Sequence, residues 1–250
     1  MKAIPGWYGK LPTLGDFASR RLDAEFIEPW DVWLGEGLAA QRAQQGEAWL
    51  DAYLRSPVWR FVLLPGVLSP AQTAPIAGVL MPSVDRVGRY FPLTLAMPLQ
   101  QLPRSTLEVE QLLGWLHCLE DLAVDALQGD WSIEQLEAAL AQLPPVVEAE
   151  RVDDEAVAAA RAALQMALGG EPGFVPIAGI RSRTQLASLF AGALRGASDP
   201  VGPPRAAGRA FWLADSPDDA RLLVSHGLPA VDQFVQRLGG TGHAEAETVF

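Results

Sequence analysis

Between residues 58 and 97 lie three apolar runs, VWRFVLL at 58–64, PIAGVLM at 75–81 and FPLTLAM at 91–97, each bounded by proline or glycine signals. Each run is about as long as a strand, and its β-branched and aromatic content fits a pleated surface. The near-absence of alternation is the stronger constraint. Strands apolar on both faces belong in a sheet that helices cover on both sides. Pro82, Pro92 and Pro98 mark strand ends, because an interior strand cannot spare the N–H.

The segments around these runs supply the covering layers. GWYGKLPTLGDF at 6–17 begins as an aromatic strand and continues as a Gly/Pro-punctuated loop. Asp23 reads as the N-cap of a helix whose stripe is Phe26, Trp30, Trp33, Leu34 and Leu38. A short helix near 47–55 carries Trp49, Leu50, Tyr53 and Leu54, and Pro57 stops it. Ser105 with Glu108 predicts a capping box and a long helix striped by Leu112, Leu116, Leu119, Ala123 and Leu127. Ser132 with Gln135 caps another, burying Ile133, Leu136 and Leu140. An Ala-rich helix is predicted over 154–168 and a surface loop over 197–209. AFWLA and RLLVS follow as strands, and a terminal helix runs from Pro229 to Leu238. The expected fold is α/β, a three-layer α/β/α sandwich with a mixed central sheet. One domain is expected over 1–238, with 239–250 a flexible tail.

Charge and cysteine usage exclude several function classes. A net charge of −11 repels phosphate backbones and anionic membrane surfaces, so neither nucleic acid nor membrane is an expected partner. Cys118 is the lone cysteine, which leaves no internal disulfide and no thiolate zinc cluster. His117, His226 and His243 are too scattered for metal-ligand spacing, so no cofactor is expected. MKAIPGWYGK lacks the apolar run of a signal peptide, and no stretch approaches the ~18 apolar residues of a membrane span. The expected compartment is the cytoplasm.

The most function-like segment is MPSVDRVGRYFP at 81–92, which sets Ser83, Asp85, Arg86 and Arg89 in a Gly-containing turn between two buried strands. Two readings stand. Arg86 or Arg89 forks onto a partner's carboxylate or phosphate, or Asp85 pairs with one of them and fixes the hairpin. Asp16 either forms a carboxylate pair with Asp85 for acid–base chemistry, or caps a turn or holds one of the loop arginines. Phosphate-loop, dinucleotide and nucleophile-elbow motifs are absent, and Lys10 matches none of them. Cys118 and His117 are helix neighbours pointing about 100° apart, which rules out a dyad between them. Cys118 is expected to be an inert, half-buried thiol, and His117 to pair with Asp121 on the helix surface. Trp30, Trp33, Trp49 and Trp59 lie on apolar stripes and are read first as core, second as interface anchors.

Taken in order, GWYGKLPTLGDFASRRL, EPWDVWL, AWLDAYLRSPVWRF and above all GVLMPSVDRVGRYFPLTLA resemble the TagF/ImpM family of type VI secretion-associated proteins, over roughly residues 6–130. A weaker likeness returns at AFWLAD and at the GLP segment ending in Phe234. The resemblance implies an α/β/α fold and a cytoplasmic accessory protein without enzymatic activity. It implies post-translational restraint of secretion through binding of a forkhead-associated scaffold protein, with no small-molecule substrate. Some family members are fused to a phosphatase domain, which this sequence lacks. The family often has paired tryptophans in the late strand, where this chain has Phe211 and Trp212. The expected interface lies on the first-helix and early-loop side, around Trp30, Trp33 and the Asp16 loop; Asp16, Ser83, Asp85, Arg86 and Arg89, with Trp30 and Trp33, are the expected protein-interaction or structural cluster. The alternatives are a hydrolase-like enzyme using Asp16, Asp85 and Arg89, or a structural part of the secretion apparatus.

Overall fold

The computed structural model describes residues 3–103, 106–144, 173–176, 208–216 and 219–233. The chain enters through strand β1 (Gly6–Gly9) and the short β2 (Ala18–Arg20), then forms helices α1 (Ala24–Gln45) and α2 (Trp49–Leu54). The three apolar runs are strands β3 (Trp59–Leu63), β4 (Ile76–Met81) and β5 (Leu93–Pro98). Helices α3 (Thr106–Gln128) and α4 (Ile133–Gln142) precede β6 (Gly173–Pro176), β7 (Arg209–Ser216) and β8 (Asp219–His226).

These strands make one 8-stranded sheet in the order β2-β1-β5-β4-β3-β7-β8-β6. Every neighbouring pair is antiparallel, which corrects the expectation of a mixed sheet. Apolar runs report that both faces are covered, but strand direction is decided by the connections. The β3–β4, β4–β5 and β7–β8 links carry no crossover helix, so adjacent strands return antiparallel.

Strand alternation then separates two cores. Trp7, Val62, Val79, Met81, Leu93, Leu95, Phe211 and Leu222 face α3 and α4, meeting Leu112, Leu116, Leu119, Ala123, Leu136 and Leu140. Tyr8, Phe61, Leu63, Leu80, Ala96, Trp212 and Leu223 face α1 and α2, meeting Phe26, Trp30, Trp33, Leu34, Leu38 and Tyr53. The sheet is thus the middle layer of an α/β/α sandwich.

The helix starts follow their caps. The Asp23 carboxylate accepts the Phe26 N–H at 2.9 Å, and Ser132 with Gln135 closes a reciprocal capping box on α4. The expected cap at Ser105, the helix at 154–168, residues 197–207 of the loop expected over 197–209, and the tail at 239–250 lie outside the described residues, while Arg209 at that loop's end begins β7. Of the predicted terminal helix, Val231–Gln233 is described and is helical. Among the described residues, no helix is long and apolar enough to cross a membrane.

Candidate functional site

Residues 82–92 form the hairpin loop between β4 and β5, pinched by the Val84–Tyr90 bridge. Asp85 organises its tip. Oδ1 accepts the Val87 and Arg89 N–H groups at 3.0 and 2.9 Å, and the Asp85 N–H donates to the Arg89 carbonyl at 3.0 Å. The turn passes through Gly88 at φ 81°, a left-handed conformation that glycine adopts without a Cβ penalty.

Oδ2 of the same carboxylate holds two cations. Lys10 Nζ, at the exit of β1, donates at 2.9 Å, and Arg89 Nε donates at 2.7 Å. Lys10 and Asp85 are buried, whereas the Arg89 side chain is 53% exposed. Burial by itself would raise the Asp85 carboxyl. Hydrogen bonds from the Arg89 N–H, Lys10, the Arg89 guanidinium and the Val87 N–H outweigh it and hold the group well below the usual carboxylate range. Beneath them, Ser83 Oγ donates to the Lys10 carbonyl at 2.7 Å. Tyr53 Oη donates to the Ser83 carbonyl and accepts its N–H, at 2.9 and 2.8 Å. Burial pushes the Tyr53 hydroxyl well above its ordinary pKa.

A second loop, residues 12–17, lies against the first. The Arg86 N–H donates to the Leu14 carbonyl at 2.9 Å, and the Arg89 guanidinium donates to the Gly15 carbonyl. Lys10 Nζ sits 4.8 Å from the centroid of the Phe17 ring, which also packs edge-on against Phe91 at 4.8 Å. Tyr90 packs edge-on against Trp49 and Tyr53, tying the hairpin to α2.

The sequence candidates therefore divide. Ser83, Asp85 and Arg89 converge. Arg89, not Arg86, is the arginine partner of Asp85, and Arg86 is exposed. Asp16 is exposed and accepts the N–H of Phe17 at 2.8 Å, so it caps its own turn and makes no carboxylate pair with Asp85. Trp30 and Trp33, read first as core and second as interface anchors, are 0% and 7% exposed. Their Nε1 groups donate to Thr94 Oγ1 and the Pro229 carbonyl at 2.9 and 2.8 Å, and both rings pack on Trp212. They are core, because the stripe that builds α1 is the stripe the sheet buries. Trp212 is likewise buried in that core, while Phe211 faces α3.

Lys10 and Tyr53 were missed. The available signal was that Lys10 is the lone cation in the segment 6–17, and a cation beside a buried strand requires an anion.

A second charged group sits on the opposite face. Arg60, buried in β3, pairs with Glu120 of α3 at 3.2 Å, and His117 Nδ1 lies 3.8 Å from the same carboxylate. His117 thus faces Glu120, not Asp121 as expected. Burial raises the Glu120 carboxyl, and Arg60 and His117 oppose that shift. Cys118 is exposed, which corrects the expectation of a half-buried thiol. Among the described residues, no group of three or more His, Cys, Asp or Glu could hold a metal ion. An open groove of about 230 Å³ lies elsewhere, lined by Arg21, Asp23, Phe26, Gln72, Ile76 and Pro98, and includes none of the candidates.

The family model for the TagF N-terminal domain, type VI secretion system-associated, matches residues 6–143. The crystal structure of PA0076 from Pseudomonas aeruginosa PAO1 is similar, with 33% sequence identity over 96% of each chain and a TM-score of 0.61. No curated protein matches the chain.

Proposed function

Because the chain belongs to the TagF N-terminal domain family of type VI secretion-associated proteins, we propose that it is a non-enzymatic, post-translational repressor of that secretion system. It acts in the cytoplasm, without a cofactor, by binding the forkhead-associated scaffold protein of the same system. The sequence resemblance suggests the partner.

The observation that carries a binding mechanism is the use made of Asp85. Both of its oxygens are occupied by donors from Lys10, Val87 and Arg89, and the group is sealed beneath two loops. A carboxylate so engaged fixes a surface. The rival hydrolase reading needs Asp85 and Asp16 free in one cleft, and it loses support from their separate engagements.

Stoichiometric binding makes repression depend on the ratio of the two proteins. Isothermal titration of purified chain into purified scaffold is expected to give saturable one-to-one binding. Graded expression is expected to suppress secretion progressively, with extra scaffold restoring it. No heat at high micromolar concentrations, combined with strong suppression at about a tenth of the scaffold level, would overturn the reading and favour turnover.

A further inference from the structure

The two loops around Asp85 present a surface that the internal bonding leaves unused. Phe17 is 45% exposed and Val87 63% exposed, both large apolar side chains at loop tips. Exposed apolar residues standing singly carry no meaning, but Val87 is the chain neighbour of the exposed Arg86, and Phe17 lies two residues beyond the Gly15 that Arg86 approaches. Arg86 is exposed, its N–H is spent on the Leu14 carbonyl, and its guanidinium makes no ion pair among the described residues. The guanidinium lies 3.7 Å from where a Cβ on Gly15 would sit, so Arg86 belongs to the Phe17 loop as much as to its own.

Charge decides what fits there. The chain carries 30 acidic and 19 basic residues, so a surface arginine has acids to choose from. Here the nearest acid in sequence, Asp85, is sealed beneath the loop by Lys10 and Arg89, and Asp16 is turned to the Phe17 N–H. A guanidinium fork with no ion pair among the described residues, on apposed loops that also expose Phe17 and Val87, is complementary to a carboxylate beside an apolar side chain. The loops are held by cross-loop hydrogen bonds and by the buried Lys10–Asp85 pair. Little ordering entropy is therefore lost when a partner lands on them.

We propose that the face formed by Phe17, Arg86 and Val87 docks an acidic segment of a partner protein, whose carboxylate pairs with Arg86 while a neighbouring apolar side chain covers Phe17 and Val87. The assignment rests on the binding function proposed above and names its surface. It replaces Trp30 and Trp33, whose burial removes them from any interface.

The test is titration of purified scaffold with the unaltered full chain and with Arg86→Glu, Val87→Asp and Leu107→Asp. Leu107, 37% exposed, lies at the start of α3 on the other side of the sheet and serves as the control. Arg86→Glu and Val87→Asp are expected to weaken binding by about tenfold or more, since each sets an anion or a bare charge against the docked segment. Leu107→Asp is expected to bind as the unaltered chain does. Binding by the unaltered chain should weaken with added salt, and Arg86→Glu should lose part of that dependence. Melting temperatures check the fold, and Arg86→Ala stands in for any variant that melts early. Equal affinity of Arg86→Glu, Val87→Asp and the unaltered chain overturns this face while leaving the scaffold-binding function intact. An equal loss in Leu107→Asp also overturns it. Failure of the unaltered chain to bind overturns the proposed function itself, and the face with it.

Discussion

Lys10 and Asp85 are 75 residues apart and meet at 2.9 Å between Nζ and Oδ2, with 4% and 0% of their side chains exposed. The contact locks the exit of β1 to the tip of the β4–β5 hairpin, whose β5 arm is β1's neighbour in the sheet. A buried ion pair contributes little net stability relative to apolar groups of the same shape, but losing one partner strands a charge. Its use here is positional. It holds the two loops whose outer rim carries Phe17, Arg86 and Val87.

Lys10→Met should accordingly destabilise the chain strongly, because Asp85 keeps its charge and loses its shielded partner. The melting temperature is expected to fall by roughly 5–15 °C. Arg89→Ala should lower it by only a few degrees, since that guanidinium is half-exposed and water screens it. Thermal melts followed by circular dichroism decide the matter, and equal effects of the two substitutions would contradict the assignment.

Arg60 and Glu120 allow a double-mutant cycle. Glu120→Leu leaves Arg60, 3% exposed, without that carboxylate and is expected to lower stability by about 3 kcal/mol. Arg60→Leu combined with Glu120→Leu should recover most of that loss, because no charge then remains in the core. Urea denaturation of the unaltered chain, Arg60→Leu, Glu120→Leu and the double variant gives the coupling energy. Simple additivity would mean that the two side chains do not sense each other.

Acid should destabilise the fold through Asp85 and Glu137. Glu137 accepts from Arg21, which holds its carboxyl below the usual range; burial opposes this, and a 2.7 Å bond from Trp7 Nε1 reinforces it. Both carboxylates bind protons less readily folded than unfolded, so between the two pKa values the unfolded chain holds more protons and stability rises with pH. The contribution is fully present above the unfolded carboxylate range and is lost as pH falls below roughly 4. Glu137→Gln should flatten part of that acid limb in melts taken from pH 7 downward. An unchanged profile would remove Glu137 from the account.

Cys118 should react with a maleimide in the native protein, because its side chain is exposed on α3. Mass spectrometry is expected to find one adduct without denaturant and no change in melting temperature. Labelling that requires urea would place the thiol in the core.

Much of this architecture was legible in the sequence, for local reasons. The runs at 58–64, 75–81 and 91–97, the Asp23 cap and the Ser132–Gln135 box each encode structure through neighbouring residues, and the structure contains all of them. Strand direction was not legible, since a run apolar on both faces reads the same in either direction. β2, only Ala18–Arg20, was missed because it is too short and polar to carry a pattern. Ser83, Asp85 and Arg89 were found in the hairpin because turn chemistry and neighbouring charges are local. The expected Asp85–arginine pair is present through Arg89, but the second cation on Asp85 was not found, because Lys10 reaches it only once β1 has packed beside β5 and β5 beside β4. The sequence by itself determined which segments form strands and helices, and which loop concentrates charge. Only the tertiary structure decided how far each tryptophan is buried, and which arginine pairs with Asp85 and which does not. Those outcomes depend on desolvation, and a side chain is desolvated only by what the fold brings against it.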